Sequence, residues 1–243
     1  MQWSDAAWFN SGLWCGFLVL SLCLALALYW WFGKAGLYSF IVAAVIAANI
    51  QVIKTVQLFG LVATLGNVLY GSIFFATDVL NEVYGKETAR RGVWMGFAGM
   101  LLMLLWMQIG LTFVPHSSDF SQDALATIFG LLPRIAAGSL VAYLISQHHD
   151  VFAYSFWKRR TGGRFLWLRN CASTMVSQAI DSVIFCTIAF WNVFPLDVWV
   201  QILATTYAFK WFVALVDTPF IYLARRLGSR VTAREVDSGV VEK

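Results

Sequence analysis

The chain has 243 residues, of which 60% are hydrophobic and only 12% are charged. An average soluble domain has ~45–50% apolar and ~25% charged residues. The mean hydropathy is +0.70 and the formal net charge is +4. These values exclude an ordinary cytosolic globular protein, a disordered chain and a module that binds nucleic acid directly. They predict a polytopic membrane protein with almost no room for a soluble domain.

Seven apolar runs follow one another along the chain, and each is long enough, or nearly so, to cross a bilayer as a helix. They lie at about Leu13–Phe32, Leu37–Gln57, Leu61–Val79, Val93–Val114, Leu125–Ser146, Thr174–Trp191 and Val198–Leu223. The predicted fold is therefore an all-α bundle that forms one transmembrane domain over residues 1–243. Residues 224–243 are expected to form a short cytoplasmic tail.

Basic residues are concentrated after the third, fifth and seventh runs. They are Lys86, Arg90 and Arg91, then Lys158, Arg159, Arg160, Arg164 and Arg169, then Arg225, Arg226, Arg230 and Arg234. The loops at residues 115–123 and 192–197 contain aspartate but no lysine or arginine. Since cytoplasmic loops carry the excess of basic residues, we expect a cytoplasmic-membrane protein with its N-terminus outside and its C-terminus in the cytoplasm.

Six charged side chains fall inside the apolar runs or at their rims. They are Lys54, Asp78, Arg134, Asp181, Lys210 and Asp217. A charge at the centre of a spanning helix costs ~2.5–3.5 kcal/mol on insertion scales, so such residues usually face a partner or a cavity. Three acids and three bases form a neutral set, which predicts pairing inside the bundle. For Lys54 and Arg134, extension of the side chain to the membrane surface remains an equal alternative.

The sixth run carries polar side chains at helical spacing. Asn170, Thr174, Ser177, Gln178 and Asp181 share one face of the predicted helix. Such a face should point into a cavity or toward another helix, and a seam of interhelical hydrogen bonds is the alternative to a binding site.

Three other runs add polar groups at related positions. Asp78, Asn81 and Glu82 gather near the cytoplasmic end of the third run, and the second run supplies Asn49. Carboxylates accept adjacent N–H groups, while amides can serve both a carbonyl and a ring N–H. This inventory suits a guanine-like base, among other polar metabolites.

Catalytic and metal-binding patterns are missing from the sequence. No histidine or cysteine cluster has the spacing of metal ligands, and no Ser/His/Asp, HExxH or GxSxG arrangement occurs. We therefore expect no enzyme, no bound metal and no cofactor. A channel is also disfavoured, because scattered opposite charges suit a small binding cavity better than a ring-lined pore.

The segment TDVLNEVYGKETARR (Thr77–Arg91) closely resembles the signature of the queuosine precursor transporter family, also called the vitamin uptake transporter family. Two further matches are PRIAAGSLVAYLISQHHD (Pro133–Asp150) and WLRNCASTMVSQAIDSVIFCTIAF (Trp167–Phe190), with a weaker one at residues 207–219. The resemblance covers about residues 43–223. Gly71 departs from the family, since many members have proline there.

The resemblance implies a six-span core at residues 37–223, similar in fold to the substrate-binding membrane subunits of energy-coupling-factor transporters. Residues 13–32 would then form an extra N-terminal transmembrane helix. The implied activity is import of 7-cyano-7-deazaguanine, 7-aminomethyl-7-deazaguanine or queuine, which feed tRNA modification. The partners are this small molecule and the lipid bilayer, and a homodimer is left open. The alternative is a subunit that binds another vitamin or nucleobase and works with an ATP-driven partner, against which the alanines at 43, 44, 47 and 48 could pack.

The family motifs and the buried polar positions together predict the substrate-binding residues. They are Asp78, Asn81, Glu82, Arg134, Gln178, Asp181, Lys210 and Asn49. Asp181 or Asp78 would accept the exocyclic amine and the adjacent ring N–H of the base, and Gln178 or Asn49 would serve the ring carbonyl. Arg134 and Lys210 would neutralise the acids before substrate binds. If transport is proton-coupled, Asp78 or Glu82 is the expected carrier.

Overall fold

The computed structural model describes residues 5–160 and 166–237. Its helices and strands are α1 (Asp5–Gln51), β1 (Thr55–Leu58), β2 (Leu61–Thr64), α2 (Asn67–Tyr84), α3 (Lys86–Leu111), α4 (Gln122–Gly130), α5 (Leu132–Arg160), α6 (Leu166–Phe190) and α7 (Leu196–Asp237). Within these residues, four helices are long and apolar enough to cross a membrane: Ala7–Gln51, Glu87–Leu111, Gln122–Tyr143 and Leu196–Arg234. The predicted class, an all-α polytopic membrane protein, is confirmed.

Helix α1 is bent back on itself. A straight helix of 47 residues would be about 70 Å long, more than twice the ~30 Å hydrocarbon core of a bilayer. Gly33 breaks the helix with φ 58° and ψ −138°, a conformation that glycine adopts without steric cost. Gly36 then lies directly against the backbone of Leu28. The bend creates a first arm (residues 5–32) and a second arm (residues 34–51). They correspond to the first two predicted runs, but the second run is wrong at its end, because the helix ends at Gln51 and a strand begins at Thr55.

The third predicted run is wrong at its beginning, because Leu61–Thr64 is a strand and not a helix. It pairs antiparallel with Thr55–Leu58, and the two-residue turn has positive φ at Phe59 (50°) and Gly60 (84°), as in a type I′ hairpin. Val62 N–H donates to Gln201 Oε1 at 3.0 Å. The hairpin therefore lies against the start of α7.

The largest buried apolar cluster joins both arms of α1 with α2 and α7. Its members include Trp14, Tyr29, Phe75 and Val213, which are all nearly inaccessible to solvent. By contrast, α3 exposes large apolar side chains such as Trp94 and Trp106, as expected of a surface that faces lipid. A second buried cluster connects α5, α6 and α7. The two clusters leave polar side chains between α2, α5, α6 and α7.

The predicted cytoplasmic tail continues α7 as far as Asp237. Ala224 and Val231 are buried against the rest of the bundle, and the guanidinium of Arg234 lies 4.3 Å from the ring centroid of Trp30, within the range of a cation–π contact. Residues 238–243 of the tail, and residues 161–165 of the predicted basic loop, lie outside the described residues.

Candidate functional site

Asp181 on α6 lies between side chains of two neighbouring helices. Lys210 Nζ on α7 donates to Asp181 Oδ2 at 2.5 Å, and Ser146 Oγ on α5 donates to Oδ1 at 3.3 Å. The side chains of Lys210 and Asp181 are only 19% and 25% exposed. Opposite charges attract strongly where water is scarce, so this pair joins α6 to α7. It confirms the prediction that Lys210 neutralises an acid in the bundle.

The polar face of α6 points toward other helices. Ser177 Oγ lies 3.0 Å from the ring Nδ1 of His149 on α5. Gln178 lies one turn before Asp181 on the same face of α6. The predicted orientation is therefore confirmed for Ser177, Gln178 and Asp181. The side chains of Asn170 and Thr174 lie outside the described part of the structure.

Asn49 and Tyr70 extend these polar contacts to α1 and α2. The Tyr70 hydroxyl donates to Asn49 Oδ1 at 3.2 Å, while Asn49 Nδ2 donates to the Val45 carbonyl at 2.8 Å. The same hydroxyl lies beside Ser139 and within electrostatic reach of Asp181. We call the following residues the central polar cluster: Asn49, Tyr70, Gln178, Asp181 and Lys210.

Several amide groups in and beside the central polar cluster have no hydrogen-bond partner among the described residues. Gln51 Oε1, Asn67 Nδ2 and Gln178 Oε1 are buried and unpaired. Leaving a buried polar group unpaired costs about 1–3 kcal/mol, so such groups are uncommon in native interiors. Of the three, Gln178 Oε1 lies one helical turn from Asp181 and offers an unpaired acceptor there.

The other predicted acids form a separate group. Asp78 and Glu82 lie 8 and 12 residues beyond Tyr70 on α2, which corresponds to about 12 and 18 Å along the helix axis. Glu82 Oε1 pairs with Arg225 Nε at 3.4 Å. Asp217 on α7 is 4% exposed and close enough to Asp78 for the two carboxylates to repel each other. We call Asp78, Glu82 and Asp217 the inner acidic group.

Asn81 belongs to neither set of contacts. Its side chain is exposed, and its backbone carbonyl accepts the Gly85 N–H at 3.0 Å where α2 ends. The structure therefore separates the predicted site residues into two locations, with Asn81 at the end of α2.

The expected pairing of Arg134 with the acids is wrong. Its guanidinium donates to the carbonyls of Ile188 and Trp191, both at 2.5 Å. The last carbonyls of a helix have no intrahelical partner and carry partial negative charge, so Arg134 caps the end of α6. Lys54 is exposed just before β1. Of the six charges predicted to form a paired set, only Lys210 and Asp181 pair within the described residues.

A family model described as "Putative vitamin uptake transporter" matches residues 64–224. The chain belongs to this vitamin uptake transporter family. A Bacillus subtilis relative named "Probable queuosine precursor transporter" is 50% identical over 220 residues, which cover 90% of this chain and 96% of the relative. An Escherichia coli relative named "Queuosine precursor transporter" is 30% identical over 193 residues, covering 78% and 82% respectively. No solved structure matches the chain.

The family match contains every predicted site residue except Asn49, which lies on α1. It also contains groups that our sequence interpretation missed, namely Tyr70, Ser139 and Ser146. Serine and tyrosine are common in apolar runs, so the sequence alone does not mark these hydroxyl groups as functional. Their helical spacing could have identified two of them, since Ser139 and Ser146 are seven residues apart and therefore lie on one face of α5.

A cavity of about 170 Å³ opens at the loop between α6 and α7 in this family member. It is lined by Trp191, Asn192, Phe194, Leu196 and Trp199. Ligand pockets for small molecules usually measure ~300–1,000 Å³, and none of these residues belongs to the central polar cluster. Within that cluster, residues that are distant in sequence meet: Tyr70 contacts Asn49, and Lys210 contacts Asp181.

Proposed function

We propose that this chain imports queuosine precursors across the cytoplasmic membrane and binds them in the central polar cluster. The names of its relatives support this class of cargo. The observation that carries the proposal is the Asp181–Lys210 pair one turn from Gln178 Oε1, which is one of several buried amide atoms that lack partners. A purely structural seam of hydrogen bonds would leave fewer of these groups unpaired.

A deazaguanine base presents complementary groups along one edge. Its exocyclic amine and adjacent ring N–H donate side by side, and a carboxylate such as Asp181 can accept both. The neighbouring ring carbonyl then receives a hydrogen bond from Lys210 or from the amide of Gln178. Gln178 suits this role better than Asn49, whose amide nitrogen already donates to Val45.

Binding in this way requires the ion pair to open. The substrate replaces Lys210 on Asp181, while Lys210 moves to the ring carbonyl. Both charged groups keep a hydrogen-bonded partner throughout, which limits the cost of leaving either one buried and unpaired. The cargo is 7-cyano-7-deazaguanine, 7-aminomethyl-7-deazaguanine or queuine, with the N-terminus of the transporter outside and its C-terminus inside.

A subunit that depends on an ATP-driven partner receives less support. Two of the alanines that could pack against such a partner, Ala44 and Ala48, are buried within the chain itself. The remaining exposed position, Ala43, is too small a surface to indicate docking.

The test is the queuosine content of tRNA in a bacterial host that lacks both precursor synthesis and its own importer. The host expresses the chain and receives each compound at a limiting external concentration. We expect restored modification by wild type and by Asp197→Asn, a control at an exposed aspartate in the first turn of α7. Asp181→Asn should not restore it. No restoration by wild type present in the membrane, or full restoration by Asp181→Asn, would contradict the proposal.

A further inference from the structure

Asp217 is the most deeply buried charged residue without a counter-ion in the described part of the chain. It is 4% exposed, and within that part it makes no hydrogen bond or ion pair. An unpaired carboxylate is costly to hold in an apolar interior, and an ionisable residue inside a membrane indicates a functional site by default. A bound proton removes the charge and hence the cost.

Three cations of α7 are engaged with groups other than Asp217. Lys210 pairs with Asp181, Arg225 with Glu82, and Arg234 lies over Trp30. On α1, Lys34 follows the bend at Gly33, and the ring of Tyr29 packs against that of Tyr84. Among the described residues, the charged group that acts on Asp217 is another acid, Asp78.

Apolar contacts lie one turn to either side of the buried Asp217, whereas Asp78 is exposed. Phe75 and Phe220 meet edge to face with ring centroids 6.3 Å apart, and Val213, one turn before Asp217, packs against Gly71. A metal cation such as Ca²⁺ needs more oxygen ligands than two carboxylates can supply, and these apolar neighbours add none. A proton needs only one carboxylate oxygen.

We propose that Asp217 and Asp78 form the site that carries a co-transported proton, separate from the central polar cluster. This inference rests on the proposed import function. Asp217 takes up one proton and becomes a neutral carboxyl. It returns to carboxylate when the proton passes to Asp78 and then to the inner side, so one substrate and one proton enter per cycle.

The position of Glu82 gives this path a direction. Glu82 lies one turn beyond Asp78, near the end of α2, and pairs with Arg225 on α7. Asp217 is buried, whereas Asp78 and Glu82 are both exposed, so the path leads from a buried carboxyl to two exposed ones. Asp119, in the loop between α3 and α4, is by contrast a carboxylate with several hydrogen-bond donors. There the backbone N–H and hydroxyl of Ser121 donate to the carboxylate and lower the pKa of Asp119, so it stays charged.

The test uses the full-length chain in liposomes with the membrane potential clamped at zero. The probe is labelled 7-cyano-7-deazaguanine, which is neutral near pH 7. One measurement is exchange of labelled for unlabelled substrate without a gradient, and the other is accumulation when the outside is one pH unit more acidic. For one proton per substrate, one pH unit supports at most about tenfold accumulation.

We expect wild type and Asp197→Asn to exchange and to accumulate several-fold. Asp217→Asn should retain exchange, which also shows that it is folded, and should lose accumulation. Wild-type exchange without acid-driven accumulation, accumulation driven by a sodium gradient instead, or full accumulation by Asp217→Asn would each overturn the proton site and leave the import function intact. Absence of exchange by wild type would overturn both.

Discussion

The central polar cluster and the inner acidic group contain the same kind of side chain in different electrostatic settings. Asp181 has an ammonium group at 2.5 Å and a serine hydroxyl at 3.3 Å. Asp217 is more deeply buried, and among the described residues its charged neighbour is another acid. A paired carboxylate is held in place as a hydrogen-bond acceptor, whereas an unpaired one is prone to gain and lose a proton.

The difference shows that a balanced set of charges is no guide to pairing. Three acids and three bases lie in the apolar runs, yet Arg134 binds carbonyl oxygens and Lys54 is exposed. Two bases are thereby withdrawn from the interior. Asp78 and Asp217 are left without cations within the described residues, and the two acidic locations acquire different chemistry.

The largest expected effect comes from removing the cation of the central polar cluster. Lys210→Met leaves the half-buried Asp181 without its partner, which should destabilise the protein by at most about 3–5 kcal/mol, the cost for a fully buried pair. We expect low yield in the membrane and no uptake. The double variant Asp181→Asn/Lys210→Met should recover yield but not uptake. If the double variant transports normally, the pair is only structural.

Gly71 tests the contact that holds α2 against α7 between the two acidic locations. A Cβ at this position would lie 2.5 Å from Val213 Cγ1, and overpacking of this kind costs about 1–3 kcal/mol. Gly71→Ala should lower the thermal stability of the purified protein. Val213→Ala in the same chain removes the clashing methyl groups and should restore most of it. Unchanged stability in Gly71→Ala would show that the helices separate readily.

Arg134 distinguishes a structural role from a substrate-binding role. Hydrogen bonds from a charged group are worth about 1.5–3 kcal/mol, so Arg134→Gln should reduce thermal stability by that order. The KM for uptake by the surviving protein should stay within about twofold, because Arg134 contacts Ile188 and Trp191 carbonyls and no acid. A large rise in KM with normal stability would restore the original prediction that Arg134 serves the binding site.

The smallest expected effect concerns the hairpin. Gln201→Ala removes the acceptor of the Val62 N–H, a neutral hydrogen bond worth about 0.5–1.5 kcal/mol. Hydrogen exchange at Val62 should become faster, with little change in uptake. Gln108→Ala, which removes a donor to the Phe129 carbonyl, is the matched control and should leave exchange at Val62 unchanged.

Much of the fold was accessible from apolar run length and helical period. The membrane class and the inward polar face of α6 follow from spacing alone. The hairpin could not be predicted in this way. Leu61–Thr64 is as apolar as the first turn of a spanning helix, and a short apolar run does not reveal its secondary structure. The bend in α1 depends on Gly33, and glycine is also common in spanning helices.

The candidate site was only partly predictable. Periodicity identified Asp181 and Lys210 because their offsets place them on inward faces. It could not show which charges meet, since pairing depends on how helices distant in sequence pack together. Arg134 illustrates this limit, because its partners are backbone carbonyls 54 and 57 residues away, which leave no mark on residue composition. The fold similarity to energy-coupling-factor subunits stays a prediction.

Equilibrium binding of 7-cyano-7-deazaguanine to the purified protein tests most directly whether the substrate binds in the central polar cluster. One aspartate is changed at a time, Asp181→Asn in the central polar cluster and Asp217→Asn in the inner acidic group. We predict that Asp181→Asn weakens binding by at least about 30-fold, the factor that corresponds to ~2 kcal/mol for a truncated buried charge pair. Asp217→Asn should bind within about threefold of wild type. Equal losses in the two variants, or normal binding by Asp181→Asn, would contradict the assignment of the substrate to the central polar cluster.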